Sequence, residues 1–236
     1  MAKFYGIGTG PGDSSLLTLK AVDVLQKIDI LYTPQSSKDE GSLAQKIAVP
    51  HLREDLEIKA RHFPMTFNEV EKIKAWDAIA SEIVEDVQSG KEVGFVTLGD
   101  PMIYSTYVYI MERLLGKIEV ETIPGISSFS HIASHQNFPL VMDRDPLIVL
   151  PCTAEEAKID YALTHYDSIV LMKVYRNFDK IIEKIEKAGL TPHAILVSNS
   201  SLESEEVFYN LQEAGLKERI SYFSTILINK NQKKKS

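Results

Sequence analysis

The residues best suited to grip a small molecule are Gly99-Asp100-Pro101, which directly follow the apolar run Val93, Phe95, Val96 and Leu98. A glycine at such a place lets a ligand approach the backbone, and proline removes an N–H while fixing φ. In an open α/β sheet, ligands bind in the crevice beyond the carboxyl ends of the strands. The same triplet is common turn chemistry, so a binding loop and an ordinary strand-to-helix turn are both open on local pattern. A second glycine-rich loop, Gly8-Thr9-Gly10-Pro11-Gly12-Asp13, follows the apolar start of the chain. Gly8 and Gly10 could open G-x-G-x-x-G, but Asp13 stands at the next required position. Starting from Gly6 and Gly8 puts Pro11 there, and no Gly-Lys-Ser/Thr follows. The dinucleotide and P-loop fingerprints both fail.

Other reactive side chains form weaker patterns. His131 and His135 sit one helical turn apart, but Ile132 occupies the place where the zinc signature H-E-x-x-H needs glutamate. No third ligand is evident from spacing, and no protein-bound metal is expected. Ser127-Ser128 lacks the G-x-S-x-G elbow of a serine hydrolase. Cys152 has no obvious partner and reads as a small apolar filler. Trp76, between Ile73 and Ala80, reads as helix packing. Helical spacing puts Tyr104 and Tyr107 on one face and Tyr109 elsewhere; one of the first pair could line a flat ligand or pack the core.

The elements that position these residues alternate between strand and helix patterns. Strands are expected at residues 3–8, 28–32, 56–63, 93–98, 118–123, 147–150, 168–172, 194–197 and 222–228, with a further short one at 207–209. Leu56 to Phe63, carrying Lys59, Arg61 and His62, reads as an edge strand with solvated or substrate-facing charges. Thr66-Phe67-Asn68-Glu69 and Thr153-Ala154-Glu155-Glu156 have capping-box spacing, Ser42 is a candidate cap, and Gly90, Gly116 and Gly189 supply helix stops. A helical pattern begins at Ile103 and continues through Tyr107, Ile110, Met111 and Leu114. The fold class is α/β, with an N-terminal α/β domain at 1–118 and a C-terminal one at 119–236.

Composition narrows the function further. The net charge is −7, and a nucleic-acid binder normally shows a basic surplus on at least one domain. Only Lys230 and Lys233 to Lys235 form a basic tail, which reads as a frayed end. No nucleic-acid partner is expected, whereas a small anionic substrate is compatible with local basic residues in a cleft. No apolar run approaches the length of about 18 residues needed for a membrane span, and no signal peptide is recognisable. The single cysteine excludes an intramolecular disulfide and points to a reducing cytoplasm.

Three motifs occur in order at near-regular spacing: Gly8-Thr9-Gly10-Pro11-Gly12-Asp13, Leu98-Gly99-Asp100-Pro101 and Pro124-Gly125-Ile126-Ser127-Ser128. Together they resemble the tetrapyrrole (corrin and porphyrin) methylase family over almost the whole chain. Tyr32-Thr33-Pro34, Phe63-Pro64-Met65-Thr66, Gly99 through Thr106 and Met172-Lys173-Val174-Tyr175-Arg176-Asn177 resemble its precorrin-2 / cobalt-factor II C20-methyltransferase branch. The resemblance implies two α/β domains with S-adenosylmethionine in a cleft between them, a homodimer, and methylation of the C20 meso carbon in cobalamin biosynthesis. Carried over residue by residue, it implies cofactor contacts at Pro11, Leu98, Gly99, Asp100, Ile103, Ser127, Ser128 and Met172, with Asn199 and Thr225 as further counterparts. Tyr175 departs from the small residue expected there. Asp100 and Tyr104 are the candidate catalytic residues. Arg53, Lys59, Arg61, His62, Lys173 and Arg176 are candidate partners for the substrate carboxylates, since arginine forks match carboxylate geometry. The competing readings are a methylase of the same fold acting at another corrinoid position, on ribosomal RNA or on a modified histidine, and a non-catalytic cofactor- or tetrapyrrole-binding regulator.

Overall fold

The computed structural model describes residues 2–35, 42–64, 68–215 and 220–232. The chain divides into two compact units, Met1–Ser127 and Ser128–Ser236. The first is built on a five-stranded parallel sheet: β1 (Phe4–Gly8), β2 (Ile30–Gln35), β3 (Glu57–His62), β4 (Val93–Thr97) and β5 (Val120–Ile123), in the order β3-β2-β4-β1-β5. Helices α1 (Leu19–Leu25), α2 (Leu43–Ala48), α3 (Glu69–Gln88) and α4 (Tyr107–Leu114) connect the strands. Apolar residues on both faces of the strands explain their near-continuous hydrophobic runs. Phe4, Ile30, Tyr32, Val93 and Phe95 pack with Trp76, Ile79, Tyr107 and Ile110 from α3 and α4. Ile7, Leu31, Val96 and Ile123 pack with Ala21, Val24, Ala44 and Ile47 from α1 and α2.

The expected domain boundary at 118/119 falls too early. β5 pairs in register with β1, Phe4 opposite Val120 through Ile7 opposite Ile123, so the first sheet is complete only after residue 123. The edge position of β3 agrees with its charged, partly exposed pattern. At α3, Asn68 is the cap, its Oδ1 accepting from Val70 N at 3.1 Å and Glu71 N at 3.4 Å; Met65, Thr66 and Phe67 lie outside the described residues. Ser42 caps α2 by accepting from Gln45 N at 3.4 Å. Trp76 is buried and stacks on Tyr109, ring centroids 4.2 Å apart. Residues 36–41 and the basic tail at Lys233 to Lys235 also fall outside the described residues.

The second unit carries a mixed sheet: β6 (Leu147–Pro151), β7 (Ser168–Met172), β8 (Ala194–Ser198), β9 (Glu206–Phe208) and β10 (Ser224–Asn229), in the order β6-β7-β10-β8-β9. Strand β10 runs antiparallel to both β7 and β8. Helix α5 (Ser128–His135) sets Ile132 against Val170, Ile195, Val197 and Leu227 on one face. On the other face, α6 (Glu156–His165), α7 (Phe178–Lys187) and α8 (Leu211–Gly215) cover a core including Ile169, Leu171, Leu196 and Ile226. The capping box expected at Thr153 is not formed. Glu155 is the cap residue of α6, and its side chain makes no capping hydrogen bond.

Candidate functional site

The carboxyl ends of β1, β4 and β5 are adjacent in the first sheet, so the loops that follow them meet. Gly10 and Gly99 form an antiparallel bridge in which Gly99 N donates to Gly10 O at 2.8 Å and Gly10 N donates to Gly99 O at 3.3 Å. Both have φ near +70°, at 74° and 70°, a region that glycine enters without a Cβ penalty. Gly8 and Gly125 press backbone to backbone: a Cβ on Gly125 would lie 2.1 Å from Gly99 O. Three loops separate in sequence thus close on one another at the sheet edge where α/β proteins bind ligands.

Asp100 ties two of these loops together. Its Oδ2 accepts from Gly125 N at 3.1 Å and its Oδ1 from Met102 N at 2.9 Å. A carboxylate accepts about four hydrogen bonds, so two backbone N–H groups leave it capacity for a ligand donor. Leu98, Gly99 and Ile103 flank it and are partly exposed, whereas Pro11 is buried. The helix expected from Ile103 starts only at Tyr107, because Tyr104 sits at φ 51°, in the left-handed region. Thr106 is the cap residue, and Ser105 just before it braces the entry: its Oγ accepts from Tyr107 N at 3.1 Å and bonds Thr97 Oγ1 at 2.8 Å. Tyr104 and Tyr107 therefore share no helical face. Tyr107 is wholly buried against Gly6, while Tyr104 is 44% exposed.

A second edge forms within the second unit. Thr225 at the start of β10 is the register partner of Met172 at the end of β7 and of Val197 near the end of β8. Asn199 follows β8 at φ 53° and Lys173 follows β7 at φ 57°. Left-handed backbone at a non-glycine costs of order 1–3 kcal/mol and clusters at functional sites. Asn199 N donates to Phe223 O at 2.9 Å, and Ser221 Oγ donates to Asn199 Oδ1 at 2.6 Å. The fold thus collects Met172, Thr225, Asn199 and Lys173 along one edge. Arg176 Nε donates to Tyr175 Oη at 2.7 Å, and Tyr175 lies 4.8 Å from Tyr222 between ring centroids. Burial, and then the neighbouring Arg176 charge, lowers the pKa of the Lys173 ammonium. Ser128 opens α5, and Ser127 is the last residue of the first unit.

The other basic candidates are engaged locally. Lys59 Nζ is 2.8 Å from Asp86 Oδ2, and Arg61 grips Glu82 through Nε at 2.7 Å and through Nη2. Both cations also lie over the Tyr32 ring. Arg53 pairs with Asp55 at 3.0 Å, and His62 is exposed on β3. Spacing missed the Lys59 and Arg61 pairings because Asp86 and Glu82 sit on α3, with no local signal linking them to β3. It also missed the role of Ser105, for which its place in a helix-entry Ser-Thr pair was the available cue.

The model for tetrapyrrole (corrin/porphyrin) methylases matches residues 3–215. The chain belongs to that family. A cobalt-precorrin-2 C(20)-methyltransferase from Salmonella typhimurium is 40% identical over 228 residues, covering 97% of this chain and 96% of the relative. A precorrin-2 C(20)-methyltransferase from a Sinorhizobium species is 30% identical, covering 97% and 95%. Among solved structures, the methyltransferase CobJ superposes with a TM-score of 0.75 at 16% identity, covering 100% of this chain and 97% of that one. A Thermus thermophilus uroporphyrin-III C-methyltransferase complexed with S-adenyl homocysteine gives 0.70 at 19%, covering 97% and 92%. At that identity the two structures establish the shared fold.

A Cβ on Gly99 would meet nothing within 4 Å, so that backbone faces open space. In the second unit, Ser200 Oγ is buried without a hydrogen-bond partner among the described residues, next to Asn199. A buried hydroxyl left unpaired costs free energy, and a bound polar ligand is one way to satisfy it.

Proposed function

We propose that this tetrapyrrole methylase transfers a methyl group from S-adenosylmethionine to the C20 meso carbon of precorrin-2 or its cobalt complex. The observation that carries the reading is the meeting of the Gly10, Gly99 and Gly125 loops, in a chain 40% identical to a cobalt-precorrin-2 C(20)-methyltransferase along nearly its full length.

When bound, S-adenosylmethionine supplies a methyl group on a sulfonium, already activated for attack by an electron-rich carbon. The chain's task is alignment, because holding reacting atoms about 3–3.5 Å apart accounts for much of such a rate. In the first unit, Pro11, Leu98, Gly99, Asp100, Ile103 and Ser127 offer the cofactor a backbone-rich surface. Asp100 keeps that surface in shape by holding the N–H groups of Met102 and Gly125. In the second unit, Ser128, Met172, Asn199 and Thr225 are the cofactor candidates. Lys173 and Arg176 are the candidate carboxylate partners, and Tyr175 and Tyr222 add a flat apolar surface beside them. Arg53, Lys59 and Arg61 already hold carboxylates of the chain itself, and we assign them to structure rather than substrate. Tyr104, partly exposed on the loop after β4, is a candidate to face the macrocycle.

We also read the enzyme as a cytoplasmic homodimer, as the family resemblance implies; no described helix is long and apolar enough to cross a membrane. A monomeric mass by analytical ultracentrifugation would remove the dimer. Incubation with labelled cofactor and either precorrin-2 or cobalt-precorrin-2, with mass spectrometry of the product, tests the reaction. Label in the C20 methyl supports it, and unlabelled tetrapyrrole with both substrates overturns it.

A further inference from the structure

The pair His131 and His135 lies outside the residues assigned above, and the fold gives it what spacing could not. Both project from α5 one turn apart, with ring centroids 5.2 Å apart. The loop after β8 delivers Glu205, whose Oε1 lies 3.3 Å from His135 Nδ1. One ligand atom from each of the three side chains lies within 4.8 Å of the other two. We propose that His131, His135 and Glu205 form a site for a divalent first-row transition ion of the zinc class, clipping α5 to the β8–β9 loop.

Ligand chemistry and geometry both favour this. Imidazole with carboxylate suits zinc and its neighbours in the first row, and two histidines with one glutamate is an established three-ligand set that leaves a fourth position for water. A tetrahedral ion with bonds of about 2.0–2.1 Å separates its ligand atoms by about 3.4 Å. The His135–Glu205 pair is already at that spacing, and a rotation of an imidazole closes a gap that is 4.8 Å at most. The scaffold is held on both sides. Ile132 is buried between the two histidines on α5, and Glu205 Oε2 accepts from Ser201 N at 2.7 Å, the kind of outer hydrogen bond that orients a metal ligand. Tyr209 Oη donates to Gln136 Oε1 at 2.7 Å and joins the chain just after α5 to the end of β9. Glu205 is 16% exposed and His135 56% exposed, so an ion can enter from the His135 side. The competing account is a simple surface ion pair between His135 and Glu205, which needs no His131.

The test uses the full untagged chain, stripped with chelator, and Zn²⁺ or Co²⁺ as the probe. Calorimetric titration with Zn²⁺ is expected to show one equivalent bound, and Co²⁺ to give the visible absorption of a low-symmetry, four- or five-coordinate site. His131→Ala, which leaves the His135–Glu205 pair intact, is expected to abolish the absorption and weaken binding at least tenfold. Glu205→Gln, which removes a direct ligand, is expected to weaken it at least as much as the loss of an outer partner does, about 10–100-fold. Zn²⁺ should also raise the melting temperature of the wild type and not that of His135→Ala, whose exposed position makes misfolding a poor explanation. The absence of stoichiometric binding by the wild type, or unchanged binding in His131→Ala, overturns the proposal. Cys152 does not confuse the count, because it is buried and its thiol is pushed up to about 12 by that burial.

Discussion

Gly125→Ala tests whether the meeting of three loops builds the cofactor surface. An added Cβ would sit 2.1 Å from Gly99 O and 2.9 Å from Gly8 C and Cα, all of them backbone atoms. Reaching even a tight 3.0 Å contact requires the Gly99 and Gly125 segments to part by about 0.9 Å. That movement strains the Gly10–Gly99 bridge and the Gly125–Asp100 hydrogen bond. Overpacking of this kind costs about 1–3 kcal/mol of stability, or roughly 2–4 °C in melting temperature per kcal/mol for a chain of this size. A misplacement of about 1 Å at a reacting centre can cost about 100-fold in rate. Gly116→Ala is the control: Gly116 has φ 80° with nothing within 4 Å of an added Cβ, so the cost is backbone strain of about 1–2 kcal/mol away from the loops. Calorimetry with S-adenosylmethionine, melting curves and the methyl-transfer assay are run on both variants. The expectation is similar destabilisation in the two, with cofactor affinity lost only in Gly125→Ala. Wild-type cofactor affinity in Gly125→Ala would refute the reasoning.

Asp100→Ala leaves two backbone N–H groups without their acceptor. A fall in cofactor affinity of about ten- to a hundredfold is expected, at about 1.5–3 kcal/mol for a hydrogen bond to a charged group discounted for partial exposure; unchanged affinity by calorimetry removes Asp100 from the site. Arg61→Gln should leave tetrapyrrole binding intact while lowering stability at neutral pH. The Glu82 carboxyl is held below its ordinary pKa by the Arg61 guanidinium, so the lost stabilisation is complete above about pH 4.5, and the two melting temperatures should converge as the pH falls below it. Lys173→Gln should do the reverse, binding tetrapyrrole at least tenfold more weakly but melting higher at neutral pH. The folded pKa of Lys173 lies below 10.5 because of burial, so the wild type gains stability as the pH rises from that depressed value to 10.5, and the variant's advantage should shrink over that window.

Local chemistry made much of this protein legible from its residues. The buried strands announce themselves as apolar runs such as Val93 to Leu98, and Ser42, Gly90 and Gly189 mark helix ends because capping is settled within a few residues. Gly8 through Asp13, Leu98 through Pro101 and Pro124 through Ser128 are short segments whose backbone demands admit few residue types, so they identify the family without any structure. The tertiary structure decided what depends on partners distant in sequence. Residues 120–123 read as the start of the second half but belong to the first sheet, because their hydrogen bonds go to Phe4 through Ile7. Asp100 could be read as a turn residue or a ligand contact until Gly125 was seen to donate to it. Lys59 and Arg61 look like free cations on an edge strand until α3 brings Asp86 and Glu82 beside them. His131 and His135 lacked a third ligand until the β8–β9 loop supplied Glu205. Types and spacing therefore determine the elements and the loops, since those follow from near-neighbour sterics and burial. Which charges are paired and which atoms are brought together is set by sheet order and register, because a long-range contact leaves no periodic trace in the chain.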